Sequence, residues 1–334
     1  MRRNRRWISL LCLAGILLGL AGCGSRPVSI LDEGADRFSQ GKTVEDYSLR
    51  NSGDLLDELI DNYSGSFYSP SETELSDDEY EEKKQEQQGD PSWTDDIPTV
   101  RSRDELVELV YRKYAEPATD LRFNVDGGYL PDLSDELFYV YCMIERKDPI
   151  VGTGVKSWLW WNQGNEYYLG IEYAFPLDEL TRMRTEARAK AGEVARKLEK
   201  PGMSDYERVV AVNEYLCDTV YYPPNEPYAD VTHSAYGALI DGCAVCEGYA
   251  CACQAILKEM NGACDLVIGP CTNGEYHAWN LAMVDGNWYQ LDVTWNDGSN
   301  QRDAYLLVTD AYMRQSRSWD YALYPSTPAY PYTP

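Results

Sequence analysis

Apolar side chains recur at helical spacing in several stretches of this chain and alternate with polar ones in others. Arg103 to Ala115 carries Leu106, Leu109, Val110 and Tyr114 on one helical stripe. Leu177 to Leu198 reads as a long helix stopped by Pro201-Gly202. Ser204, with Glu207 three residues on, forms a capping box that opens another helix. Val209, Val212, Tyr215 and Leu216 line it, and it ends before Pro223-Pro224. From Cys246 to Met260, Tyr249, Ala252, Cys253, Ile256, Leu257 and Met260 follow a 3-4-3 spacing, and Asn261-Gly262 is a suitable C-terminal stop. Asp54 to Tyr63 has room for one short helix. Leu137 to Ile144 and Tyr167 to Tyr173, rich in aromatic and β-branched residues, read as strands. Glu275 to Val284 and Asn287 to Trp295 alternate, and Asp285-Gly286 between them is a preferred two-residue hairpin turn. That turn pairs Val284 with Asn287, Trp279 with Asp292 and His277 with Thr294. His277, Trp279, Asp292 and Thr294 then share one face, with Asp292 the diagonal neighbour of His277. A one-residue slip would send Asp292 to the other face.

The N-terminus reads differently. Arg2, Arg3, Arg5 and Arg6 precede an apolar run from Trp7 to Gly22, too short to span a bilayer comfortably. It ends in Leu20-Ala21-Gly22-Cys23-Gly24-Ser25, which resembles the lipobox of bacterial lipoproteins. The resemblance implies a signal peptide over residues 1–22 and a diacylglycerol on Cys23. The mature chain would then be held to the cell membrane by its lipid, facing the extracytoplasmic side. Residues 23–99 read as an acidic tether. Ser71 to Asp90 is almost wholly polar and is expected to be disordered. A flexible chain of this length reaches roughly 50 Å. An α+β region over 100–203 and a core over 204–312 are expected beyond it. The tail 313–334 is rich in tyrosine and proline, and is expected to lie across the surface or hang loose.

Composition removes some functions. The 334 residues carry a formal net charge of −25, and loss of the four signal arginines takes it to −29. Nucleic acid is not a partner for so acidic a chain, and anionic lipid repels it. Of the ten cysteines, Cys12 leaves with the signal and Cys23 is lipidated. If Cys246 is a free nucleophile, an odd number is left, which argues against a complete disulfide framework. A local Cys264–Cys271 bridge and buried free thiols both stay open.

Three segments carry candidate chemistry: Gly242-Cys243-Ala244-Val245-Cys246-Glu247-Gly248-Tyr249-Ala250, then His277-Ala278-Trp279-Asn280, then Leu291-Asp292-Val293-Thr294-Trp295. They offer a thiol, an imidazole and a carboxylate, the set a cysteine nucleophile uses. The chain has two histidines, His233 and His277, and His233 has no carboxylate motif beside it. Cys246 falls at a helix N-terminus, where the dipole is expected to lower its pKa. Small Gly242 and Ala244 leave room for a substrate, and Gly248 permits close approach. Glu247 is expected to complement the helix dipole.

These segments, with Ala235-Tyr236-Gly237-Ala238-Leu239 and Asp285-Gly286-Asn287-Trp288-Tyr289, resemble the core of the transglutaminase-like superfamily, nearest its bacterial transglutaminase/protease-like members. The resemblance spans about residues 204–310. It implies an α+β fold of papain-like type, with a nucleophile helix packed on an antiparallel sheet. It gives the roles of nucleophile, base and orienter to Cys246, His277 and Asp292. It implies no cofactor and no metal. The implied reaction is acyl transfer through a thioester on a protein or peptide substrate, a cell-wall peptide among the candidates. Tyr236 is a candidate oxyanion donor. Three other readings compete: a catalytically inactive peptide-binding module, a thiol–disulfide site at Cys243-Ala-Val-Cys246, and a zinc site from Cys243, Cys246, Cys251 and Cys253. The last has poor tetrahedral geometry within one helix.

Overall fold

A computed structural model describes residues 70–87, 97–126, 133–224, 229–299 and 301–334. The signal, Cys23 and the helix expected over 54–63 lie outside these residues. No described helix is long and apolar enough to cross a membrane.

The N-terminal part is a five-stranded sheet in the order β1-β4-β5-β3-β2. Its strands are β1 (Ser71–Glu74), β2 (Thr99–Val100), β3 (Asp120–Val125), β4 (Val155–Gln163) and β5 (Glu166–Tyr173). Helix α1 (Asp77–Glu86) follows β1. Helices α2 (Arg103–Ala115) and α3 (Ser134–Lys147) share one apolar cluster with the sheet: Leu106, Val110, Leu137, Val140 and Ile144 meet Phe123, Trp158 and Leu169.

Two expectations are corrected here. Residues 71–86, placed in a disordered tether, are ordered. β1 adds in parallel to the edge of β4. Ser76 and Glu79 form a capping box that starts α1. Tyr80 is buried and stacks on Trp161 at 3.8 Å between ring centroids. One aromatic and Leu75 seat the segment on the sheet, while its charges face water, so mean polarity hides the anchor. The second correction is Leu137 to Ile144, read as a strand and found within α3. Leu137, Val140, Tyr141 and Ile144 face the sheet at helical spacing. Phe138 and Cys142 face the second core on the other side. A helix buried on two faces loses its amphipathic stripe and imitates a strand in composition.

The second part contains α4 (Leu177–Leu198), α5 (Asp205–Thr219) and α6 (Cys246–Glu259), packed with the antiparallel sheet β6 (Cys264–Pro270), β7 (Tyr276–Val284) and β8 (Asn287–Leu291). α6 is the central element, buried along most of its length between α4, α5 and β7. The α+β, papain-like arrangement of a helix on an antiparallel sheet is therefore present. Asn261 has φ 57°, so the chain leaves α6 through the left-handed turn that Asn261-Gly262 predicts. Asp285 and Gly286 have φ 50° and 76°, the mirror-image turn that matches strand twist.

The hairpin register runs as expected from Val284–Asn287 to Asn280–Leu291. There β8 ends. Asp292 becomes the N-cap of a short helix α7 (Val293–Asp297), so the expected His277–Thr294 pair does not form. The tail is not loose: its first half is buried in the core, and residues 325–334 lie across the surface. After α8 (Asp310–Met313), Ser318 N–H donates to the Pro270 carbonyl at 2.9 Å. Met313, Trp319 and Tyr324 are buried in a cluster with Trp279 and Leu281.

Candidate active site

Backbone hydrogen bonds place the thiol. Gly242 takes φ 66° after a turn of π-helix. The N–H groups of Cys243, Ala244 and Val245 then donate to the carbonyls of Gly237, Tyr221 and Thr232. Val245 is the N-cap of α6 and supplies no side-chain cap. The N–H groups of the first turn are thus not capped by a side chain. A Cβ on Gly248 would sit 2.6 Å from the Thr232 carbonyl oxygen. The close approach that glycine permits is therefore made by the chain's own backbone, not by a substrate.

The backbone N–H of Ala278, the residue after His277, favours the Cys246 thiolate, and the charges of Glu247 and Asp292 disfavour it. The start of α6 carries the thiol, and the helix packs on the strand that carries the histidine. Burial pushes the Cys246 thiol up to about 12, against the lowering effect of the Ala278 N–H. The expected lowered thiol pKa is corrected: desolvation of the thiolate raises it. At neutral pH this sulfur keeps its proton unless a base removes it.

His277 stands near the start of β7, the strand packed against α6. The imidazole is buried, and its Nε2 lies 2.8 Å from Asp292 Oδ2. A carboxylate only accepts, so Nε2 carries the proton and Nδ1 is the nitrogen able to receive another. Burial lowers the His277 pKa; Asp292 opposes that shift and Arg317 adds to it. Burial alone would raise the carboxyl of Asp292, but His277 and Arg317 outweigh it and bring it down to about 2. Asp292 Oδ1 accepts the Trp295 N–H at 3.0 Å.

Sequence reasoning missed Arg317. Its guanidinium is fully buried, donates to Asp292 Oδ2, and lies 3.7 Å over the Trp295 ring. The one signal in the sequence was an arginine two residues before Trp319 in a tail otherwise short of charge. Trp279 and Trp295 flank the imidazole, at 6.0 and 5.4 Å between ring centroids.

Other expectations change. His233 does have a carboxylate: its Nδ1 is 3.1 Å from Glu247 Oε2. Glu247 is buried and also accepts from the Tyr141 hydroxyl. It joins α3 to α6 rather than simply facing the helix dipole. The Tyr236 hydroxyl donates to Glu186 at 3.3 Å, so it is engaged on α4 and not available as the oxyanion donor. Cys142, Cys217, Cys243, Cys246, Cys251, Cys253, Cys264 and Cys271 are all free thiols. Among the described residues no cluster of His, Cys, Asp or Glu is arranged to hold a metal ion.

The class of protein defined by this helix, hairpin and residue set is met again in comparison with known proteins. Residues 192–293 match the family model of the transglutaminase-like superfamily, a stretch that holds Cys246, His277 and Asp292 and leaves Arg317 outside. Over those residues, less than a third of the chain, the protein is similar to that superfamily. No curated protein matches it. Among solved structures it is similar to a provisionally assigned cysteine protease from Cytophaga hutchinsonii, at 17% identity over 40% of this chain and 55% of that one, TM-score 0.28. It is also similar to a TGase, at 12% identity over 59% of each chain, TM-score 0.30. A third is the periplasmic domain of TgpA from Pseudomonas aeruginosa bound to ethylmercury, at 19% identity over 39% of this chain and 55% of that one, TM-score 0.25. The chain thus spans little more than half the length of each, and nothing about the site rests on likenesses this distant.

Proposed function

We propose that this protein is a cysteine acyl-transfer enzyme, a peptidase, amidase or protein-glutamine transferase, with Cys246 as nucleophile, His277 as base and Asp292 as orienter. The observation that carries the reading is the buried Nε2–Asp292 hydrogen bond on a strand packed against the helix that begins at Cys246. Nδ1 of His277 takes the thiol proton as sulfur attacks an amide carbonyl carbon. The oxyanion forms where the uncapped N–H groups of α6 point. The C–N bond breaks, His277 returns the proton to the departing nitrogen, and a thioester remains. Water then gives the acid and restores the thiol; an amine gives a new amide instead. The raised thiol pKa makes proton removal by His277 the step on which the reaction depends. On this reading the enzyme is a lipoprotein held through Cys23 at the outer side of the membrane, acting on a protein or peptide such as a cell-wall peptide.

Iodoacetamide labelling of the full chain, with mapping of the modified cysteine, tests the site. Cys246 is expected to be alkylated ahead of the buried thiols, and more slowly in His277→Ala. Uniform slow labelling, indifferent to that substitution, would sink the enzyme and favour the inactive peptide-binding module. Incorporation of a fluorescent amine into casein, absent in Cys246→Ser, separates transferase from hydrolase.

A further inference from the structure

Asp292 has a partner that the triad logic does not require. Arg317 arrives from the tail after α8, beyond the last element of the hairpin, and donates to the same oxygen, Oδ2, that accepts from His277. Both side chains of the ion pair have no solvent exposure. Trp295, Trp279 and Tyr305 pack around the guanidinium, at 3.7, 5.1 and 5.7 Å from ring centroids. Its Nη2 has no hydrogen-bond partner among the described residues. A guanidinium kept only as a staple would be a poor one. Desolvating it is costly, one of its donors is left unpaired, and an apolar side chain of similar volume usually serves stability as well or better.

We propose that Arg317 is a positioning residue for the acyl-transfer site. It fixes the Asp292 carboxylate and offsets its charge, so that His277 rests as a neutral ring with its proton on Nε2 and its lone pair on Nδ1. The inference rests on the roles proposed above for Cys246, His277 and Asp292. A bare carboxylate 2.8 Å from a buried imidazole favours the imidazolium. A carboxylate already paired with a guanidinium still orients the ring but attracts a second proton far less. The charged groups bearing on His277 are Asp292 at the start of α7, Arg317 in the tail and Glu275 before β7. The thiols of Cys246 on α6 and Cys271 after β6 lie under the same Asp292 charge. Of these groups only Arg317 is a fixed cation. It therefore decides whether thiol and imidazole rest as a neutral pair or as an ion pair.

The test is the titration of the histidine ring protons by NMR in the full chain. There are two histidines, and His277→Ala identifies the signal. In the unmodified protein the His277 midpoint is expected below the ordinary value for histidine. A midpoint at or above it overturns the proposal without any variant at position 317. In Arg317→Met and Arg317→Gln the midpoint is expected to rise by about one pH unit or more, while Arg317→Lys stays near the starting value. Alkylation of Cys246 in Arg317→Met is expected to extend to lower pH, because a more basic ring takes the thiol proton more readily. Folded Met and Gln variants with an unmoved midpoint would reduce Arg317 to a structural ion pair. If alkylation of Cys246 ignores His277→Ala, the acyl-transfer reading falls separately, and the midpoint still reports what Arg317 does to the ring.

Discussion

The carboxylate of Asp292 accepts from the Trp295 backbone at one oxygen and from His277 and Arg317 at the other, so a substitution there acts on chemistry and fold together. Asp292→Asn keeps the shape but loses the charge. The ring then loses the acceptor that fixes its tautomer, and Arg317 becomes an uncompensated buried cation. Turnover is expected to fall by about 10⁴-fold, the size seen when an orienting acid becomes an amide. Stability is expected to fall by about 3–5 kcal/mol, as for removal of one partner of a buried pair. Amide-hydrolysis rates and urea titrations of the same samples check both. A drop in turnover with unchanged stability would show that the buried pair is not the anchor described here. The acid limb comes from the same group. Its folded pKa of about 2 lies below the ordinary value of 3.8. The stabilisation it gives is present above that ordinary value and is lost as pH falls toward 2. Acid unfolding should therefore steepen between about pH 4 and pH 2 in the unmodified protein and flatten in Asp292→Asn.

At the scale of elements, α6 is joined to α3 through buried acids. The Cys251 thiol donates to Glu145 at 3.2 Å, and the Tyr141 hydroxyl donates to Glu247. Burial, with the nearby Glu247 charge, pushes Glu145 up to about 8. Its folded pKa lies above the unfolded 4.5, so its contribution is fully present below pH 4.5 and is lost as pH rises through about 8. Melting temperature should fall across that window, and Glu145→Gln, which cannot ionise, should flatten the fall. A pH-independent melting curve in the unmodified protein would show that Glu145 ionises freely. Elements with one clean period were legible in the sequence. α6 has a 3-4-3 stripe and a left-handed stop, and the β7–β8 turn fixes its own register. α3 was not, because both its faces are buried. The end of β8 was not legible either. Alternation continues through Leu291-Asp292-Val293-Thr294, yet Asp292 satisfies the Trp295 N–H as a helix cap, and a cap competes with a strand wherever its carboxylate can reach that donor. His277 and Asp292 met all the same, since the diagonal across the hairpin depends on Asp292 alone and not on the conformation of the residues after it. The coupling of α3 to α6 through Glu145 and Glu247 had no local signal, because the partners lie 106 residues apart in the chain.

Across the whole molecule, the two ends of the described chain were the least legible, and each is held by a few large side chains in a polar or irregular context. Tyr80 holds the N-terminal segment to the sheet. Met313, Trp319 and Tyr324 hold the tail to the core, and between them Arg317 enters the site. Composition averages such a segment into a tether, whereas folding responds to the few residues that are buried. The tail therefore belongs to the folded core that carries the candidate site, and truncation tests this at full scale. Loss of a buried aromatic costs about 3–5 kcal/mol, against a total stability of about 5–15 kcal/mol for a typical domain. A chain ending at Tyr312 loses two such aromatics together with the partner of Asp292, and is expected not to hold its fold. Its tryptophan emission should shift to the red as Trp279 and Trp295 lose their cover, and Cys246 should be alkylated no faster than the other thiols. A chain ending at Pro325 keeps Arg317, Trp319 and Tyr324. It loses the Tyr332 contacts with Tyr206 and Asp285 and the mutual hydrogen bonds of Thr327 and Asp310. It should fold with a small loss of melting temperature and retain selective labelling of Cys246. Equal behaviour of the two truncations, both folded and both labelled at Cys246, would mean that the site is complete without the tail and that Arg317 is dispensable to it.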